Sequence, residues 1–201
     1  MKTLLITGGS SGIGLATVQY FVAMGWQVFD LSRSGQSTHA VQHVYCDVTD
    51  EASVQAAVAE VMHHTDHLDV VISNAGFGIS GPIEFTSIVD AQKQFDVNLF
   101  GAVRLVQAVL PILRQQQYGR ILFTSSVAAD LTIPYQSFYS ASKSALNALA
   151  LALANEVRSF GIRVSVLMPG DVATGFTDAR EKNIQGAEGY KGLNSAGEAM
   201  E

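Results

Sequence analysis

A chain of 201 residues with 12 basic and 18 acidic side chains carries a net charge of −6, so it offers no bulk attraction to nucleic acid or anionic lipid. With 48% hydrophobic and 15% charged residues, the composition is that of one folded domain with a large core, not of a disordered or fibrous chain. Cys46 is the single cysteine, which excludes an intrachain disulfide and fits a reducing compartment, the cytoplasm.

Lys2 is followed only by Leu4, Leu5 and Ile6 before Thr7 and the glycines, too short an apolar run for a secretory leader. The longest greasy stretch, residues 146–154, falls short of the roughly 18 apolar residues of a membrane span. Neither secretion nor a membrane partner is expected.

Residues 2–6 read as a β-rich strand ending in Thr7-Gly8-Gly9, and residues 13–24 then show helical spacing of Ile13, Val18, Phe21 and Val22. Strands follow at 27–32 and 43–46, a helix at 51–64 and a strand at 68–73. Residues 90–113 read as one long helix, 120–125 as a strand, 137–160 as a helix and 163–167 as a sixth strand. The strands are apolar on both faces, as in Val70-Val71-Ile72, which predicts an α/β fold: a single Rossmann-like, doubly wound parallel sheet with helices on both faces. Ligands of such sheets sit beyond the strand carboxyl ends, so the loops after Ile6, Ser73, Ser125 and Leu167 are where function is expected. The glycine-spotted stretch toward the C-terminus, residues 175–201, has little strand character and is expected to be a mobile flap on the substrate side.

Gly8, Ser10, Ser11, Gly12, Ile13 and Gly14 lie between the first strand and first helix, where helix amides and dipole can hold a pyrophosphate. No Gly-Lys-Ser/Thr follows, which disfavours a nucleoside triphosphate. The same residues satisfy Gly-x-Ser-x-Gly around Ser10, the form of a hydrolase nucleophile elbow. That mechanism needs an acid and then a histidine downstream, whereas all five histidines fall between His39 and His67.

Tyr139 and Lys143 stand four residues apart, on one helix face. A free tyrosine titrates near pH ~10, and a neighbouring cation favours its phenolate, so Lys143 is expected to lower the Tyr139 pKa. Ser126 follows a strand end thirteen positions before Tyr139 and can hydrogen-bond an oxygen whose charge changes during reaction.

With Asn74-Ala75-Gly76 and Pro169-Gly170-x-x-x-Thr174, this set resembles the short-chain dehydrogenase/reductase family. Thr7-Gly8-x-x-x-Gly12-x-Gly14, Asp47-Val48, Asn98, Ser126 and Tyr139-x-x-x-Lys143 fall in the family's order over residues 2 to 176. The resemblance implies that Tyr139 exchanges the substrate proton, Ser126 orients the substrate oxygen and Lys143 holds the nicotinamide ribose. It further implies that Asn98 anchors a relay water, that Asp47 and Val48 hold adenine, and that Asn74, Ala75 and Gly76 line the adenosine side. Pro169, Gly170, Val172 and Thr174 would flank the nicotinamide, with Thr174 at its carboxamide. Phe95-Asp96-Val97-Asn98-Leu99-Phe100-Gly101 resembles the branch of hydroxysteroid and retinol dehydrogenases and related ketone reductases.

After the second strand, Ser32 stands where an acid would take the ribose 2′-hydroxyl of NAD, and Arg33 suits a 2′-phosphate, so NADP(H) is favoured. Asp30 keeps NAD(H) open in a shifted register, although it comes sixteen residues after Gly14 against an expected offset of about twenty. Phe77, Ile79, Leu131, Ile133, Tyr135 and Phe176 suit a small apolar ketone or alcohol rather than a charged substrate.

His63 and His67 would share a helix face beside Asp66 and Asp69, but a helix end accounts for these imidazoles without a metal, and none is expected. Family members continue into a further strand, whereas 27 residues follow Thr174, so either a truncated C-terminus or a six-stranded sheet with an unprotected edge is expected. The resemblance implies a homodimer or homotetramer packed through the two long helices. The competing reading is a non-catalytic NADP(H)-binding module with a regulatory or protein-interaction role.

Overall fold

The computed structural model describes residues 1–176, 179–185 and 187–190. The elements are β1 (Thr3–Thr7), α1 (Gly12–Ala23), β2 (Gln27–Ser32), β3 (Val41–Tyr45), α2 (Glu51–His64), β4 (Val70–Ser73), β5 (Ile79–Ser80), α3 (Ile88–Phe95), α4 (Gly101–Gln116), β6 (Gly119–Thr124), α5 (Ser137–Glu156), β7 (Ile162–Leu167) and β8 (Glu181–Lys182). Six strands form one sheet in the order β3-β2-β1-β4-β6-β7, and every pairing in it is parallel. The order reverses between β1 and β4, which opens a crevice at their carboxyl ends.

The doubly apolar strands account for two unequal cores. Leu5, Phe29, Val71, Ile121 and Phe123 face α2, α4 and α5, whereas Leu4, Ile6, Val28 and Ile72 face Val18 of α1, with Phe21, Val22 and Trp26 closing that smaller side. Helices therefore cover both faces, with α1 on one side and three helices on the other.

The alternation of strands and helices is not strict. Residues 33–40 join the neighbouring parallel strands β2 and β3 without a helix. The long helix expected at 90–113 runs from Ile88 to Gln116 but is interrupted by a π-turn at Asp96–Phe100 that contains the buried Asn98. By length and composition this helix could cross a membrane; here Leu105, Val109 and Leu113 lie in the larger core.

Two expectations are corrected. The helix α2 ends at His64, with Thr65 extended, so His63 and His67 do not share a helix face. His63 and His64 both reach Glu60, and His67 pairs with Asp66. The segment read as lacking strand character contains β8, which pairs in parallel with β5 through Ile79↔Glu181 and Ser80↔Lys182. Glu-Lys has little strand propensity of its own; the pairing is supplied by the chain lying beside it. The rest of the expected flap, residues 177, 178, 186 and 191–201, lies outside the described residues.

Candidate active site

One cleft of about 750 Å³ runs along the carboxyl ends of the strands, from Arg33 and Asp47 at one end to Tyr139, Phe176 and Arg180 at the other. It is lined by every residue of the predicted set except Asn98, including Ser10, Ser32, Val48, Gly76, Pro169, Gly170, Val172 and Thr174.

The turn after β1 is shaped by close approach of its own backbone. A β-carbon on Gly14 would lie 2.0 Å from the carbonyl oxygen of Gly8, and Gly8 itself has φ +68°. Asn74 holds this turn from the next strand: its Nδ2 donates to the carbonyls of Thr7 and Gly8, both at 3.1 Å. The N-cap of α1, Ser11, makes no side-chain cap bond, and no acid lies in the first turn. The first amides and the positive end of the dipole are thus left to an external anion. Thr174 leans over the same turn, its Cβ 3.7 Å from the place of a β-carbon on Gly12.

Asp30 does not face the cleft as a free acid. Its carboxylate accepts the Gly9 amide at 2.7 Å and the Ser32 hydroxyl at 2.9 Å, and the residue is buried. Arg33 at the rim is exposed and lines the cleft, where its charge acts on Asp47. Asp47 accepts the amide and hydroxyl of Thr49 at 2.9 and 2.7 Å, and these bonds hold its carboxyl below the ordinary value.

At the other end, Ser126 follows β6 and starts a short helical turn; its Oγ accepts the Ala128 amide at 3.1 Å, and its hydroxyl pulls the Tyr139 phenol down. The adjacent residues are fixed from α5: Ser142 donates to the Tyr139 carbonyl at 2.7 Å, and Lys143 donates to the Thr124 carbonyl at 2.8 Å. Lys143 is wholly buried, and desolvation pulls its pKa from 10.5 to about 8.

The expected effect of Lys143 on Tyr139 is not the one observed. Burial raises the phenol above its ordinary value, while the Ser126 hydroxyl and the Arg180 charge pull the other way. Lys143 Nζ stands 5.8 Å from the centre of the Tyr139 ring, and the cation acting on the phenol is Arg180.

Asn98 lies behind the cleft wall. Its Oδ1 accepts the Phe77 amide at 3.0 Å, and its Nδ2 donates to the Phe77 carbonyl at 3.0 Å and to Ser142 at 3.1 Å. One turn earlier, the fully buried Gln94 accepts the Ile79 amide at 2.9 Å and donates to the Phe77 carbonyl. Two carboxamides four residues apart thus clamp one loop of the cleft. Gln94 was missed in the sequence, where its only signal is a polar residue spaced with Asn98 on an apolar face.

Of the expected apolar lining, Phe77, Ile133 and Phe176 face the cleft. Ile79 is buried within β5, Leu131 is 73% exposed, and Tyr135 stacks edge-on against Tyr190. Arg180, which lines the cleft beside Phe176, was not foreseen. Ser10 lies in the phosphate turn, and no histidine is among the lining residues, so the elbow motif has no base at hand.

The short chain dehydrogenase profile matches residues 2–185. A 3-ketodihydrosphingosine reductase of Bacteroides thetaiotaomicron is 42% identical over 180 residues, spanning 89% of this chain and 67% of the relative. The 3-oxoacyl-[acyl-carrier-protein] reductase MabA of Mycobacterium tuberculosis is 32% identical over 184 residues, spanning 92% of this chain and 74% of the relative. Among solved structures, a short-chain dehydrogenase from Streptomyces avermitilis superposes with a TM-score of 0.87 at 29% identity, covering 100% of this chain and 82% of the other. Levodione reductase superposes with a TM-score of 0.86 at 28% identity, covering 98% and 81%. By the extent of this match and by its sheet order, the chain belongs to the short-chain dehydrogenase/reductase family, oxidoreductases of CH–OH and C=O groups that use a nicotinamide cofactor.

Proposed function

We propose that the chain is an NADP(H)-dependent reductase that moves a hydride between nicotinamide and the carbonyl or alcohol carbon of a small, largely apolar substrate. The observation that carries this reading is that Ser126, Tyr139 and Lys143 share one cleft with the uncapped N-terminus of α1.

The residues fit a dinucleotide. The α1 amides would take its pyrophosphate, Asp47 and Val48 its adenine, and Asn74, Ala75 and Gly76 its adenosine side. Lys143, with one donor bound to Thr124, would take the second ribose, and Pro169, Gly170, Val172 and Thr174 would flank the nicotinamide. When bound, the cofactor supplies or accepts the hydride.

The protein's part is orientation and proton transfer. Ser126, held by the Ala128 amide, aims its hydroxyl at the oxygen where charge develops. Tyr139 delivers a proton from its phenolic oxygen in reduction and removes it in oxidation. The Arg180 charge favours the phenolate left behind. Asn98 keeps the Phe77 loop in place, and its main-chain carbonyl in the π-turn is the group that would hold a relay water.

NADP is favoured because Asp30 is committed to Gly9 and Ser32, so the groups left at the ribose end are Ser32 and Arg33, which suit a 2′-phosphate. We also propose a homodimer or homotetramer through α4 and α5, where Phe100, just before α4, and Leu151 of α5 are exposed, and a reducing, cytoplasmic setting in keeping with the buried thiol of Cys46. Residues 175–201 would serve as the substrate-side flap, in which Glu181–Lys182 pair with β5.

The test is oxidation of NADPH and NADH across apolar ketones and aldehydes, with Tyr139→Phe as control. NADPH-preferring turnover that the variant abolishes while keeping cofactor affinity is expected. Turnover that survives in the variant overturns the assignment, and silence of the wild type toward every carbonyl favours a binding module.

A further inference from the structure

The cleft contains a guanidinium for which the described residues offer no hydrogen-bond or ion-pair partner. Arg180 lies one residue before β8 and reaches back over the loop after β4. Its Cγ and Nε stand 3.3 Å from the place of a β-carbon on Gly78, and the Phe176 ring edge is 3.5 Å from the same point. Phe176 in turn lies 5.8 Å from the Tyr139 ring, so Arg180 belongs to the end of the cleft where the proton is transferred. Its Nε is closed off from solvent and has no hydrogen-bond partner among the described residues.

Among the described residues, the other cations in this part of the lining have partners: Lys93 is paired with Glu181, and Lys143 donates to the Thr124 carbonyl. Asp171 attracts Arg180 through space, but among the described residues no carboxylate comes within the 4.0 Å of an ion pair with it. Ser32, Arg33 and Asp47 line the opposite end of the same cleft.

The position of Arg180 is also fixed. The Glu181 amide donates to the Gly78 carbonyl at 3.0 Å, the Asn183 amide donates to the Ser80 carbonyl at 2.7 Å, and Asn183 Nδ2 reaches Asp90 at 3.2 Å. Gln94 and Asn98 secure the facing loop from below. A cation kept half-buried and unpaired at a fixed place loses hydration that an incoming anion can replace.

We infer that Arg180 is a specificity-determining residue that binds a carboxylate on the substrate, so that the preferred substrates are oxo acids, or the corresponding hydroxy acids, with an apolar segment against Phe77, Ile133 and Phe176. A guanidinium fork matches a carboxylate in two parallel hydrogen bonds. The carboxylate is unchanged in the reaction: the ketone carbon gains the hydride, its oxygen gains the proton, and a hydroxy acid leaves. This inference rests on the reductase reading above.

The test compares oxo acids whose carboxylate stands at increasing distance from the ketone, each beside its methyl ester, in NADPH oxidation by wild type, Arg180→Gln and Arg180→Lys. For at least one spacing the wild type is expected to favour the acid by about 10- to 100-fold in kcat/KM, the range of one charge-assisted contact. R180Q should erase that preference: KM rises for the acid alone, kcat falls alike on acid and ester because the charge beside the Tyr139 phenol is lost, so the acid loses more kcat/KM than the ester, and R180K should restore part of the preference. Equal wild-type rates on acid and ester, or equal losses on both in R180Q, would overturn the inference. Failure of the reductase reading has a different signature, no oxidation with either compound. Calorimetric titration of the acid then decides Arg180 by itself: binding lost in R180Q sustains it, and unchanged or absent binding refutes it.

Discussion

Lys143 donates to the Thr124 carbonyl at 2.8 Å and, among the described residues, has no carboxylate partner although it is wholly buried. A lysine in that state is held for something other than stability. Its pKa drops from 10.5 to about 8, so folding at neutral pH opposes its protonation by about 3 kcal/mol. The sign follows from the direction: a depressed value adds stability above the unfolded pKa, and this is lost as pH falls through the folded one. Without cofactor, Lys143→Met should therefore melt several degrees above wild type at pH ~7, and the gap should close as pH rises toward 10.5. Thermal melts across that range check this; a gap independent of pH would count against the buried charge.

Ser126 is the group that pulls the Tyr139 phenol down against burial. Ser126→Ala should leave Tyr139 ionising at still higher pH, seen as a later rise of phenolate absorbance in a difference titration against Tyr139→Phe. Loss of that hydroxyl at the substrate oxygen should also lower kcat by about 100- to 1000-fold. An unmoved titration would detach Ser126 from the phenol.

Arg33→Gln should raise KM for NADPH by about 10- to 100-fold and leave NADH nearly unchanged, since one charge-assisted contact with a 2′-phosphate is removed. Steady-state kinetics with both cofactors decide it; equal changes would place the 2′-phosphate elsewhere.

Gln94→Leu keeps an apolar face on α3 but leaves the Ile79 amide without this partner and removes one of two bonds to the Phe77 carbonyl. A loss of about 1–3 kcal/mol is expected, together with faster amide exchange in residues 77–80. Exchange confined to other segments would contradict the clamp.

Much of the fold was legible in the residues. Runs such as Val70-Val71-Ile72 report burial on both faces and hence a covered parallel sheet, a property of adjacent side chains alone. The glycine turn was legible from a strand end and helix spacing, whereas the Ser126, Tyr139 and Lys143 set was singled out by its resemblance to a known family, since its spacing alone equally fits a core tyrosine beside a solvated lysine. Asp30 shows where this stops: its distance from Gly14 along the chain left two cofactor readings open, and its bond to Gly9 exists only once β1 and β2 are paired.

What the sequence determined by itself, then, was the sheet and the glycine turn, encoded in local periodicity and spacing, while its resemblance to the short-chain dehydrogenase/reductase family singled out the candidate site residues. Only tertiary structure decided that burial outweighs the nearby charges on Tyr139, that Glu181–Lys182 becomes a strand against Ile79–Ser80, and that Arg180 enters the cleft. Each of these depends on desolvation or on contact between residues about a hundred positions apart in two cases and across several elements in the third, and neither quantity is carried by a residue and its sequence neighbours.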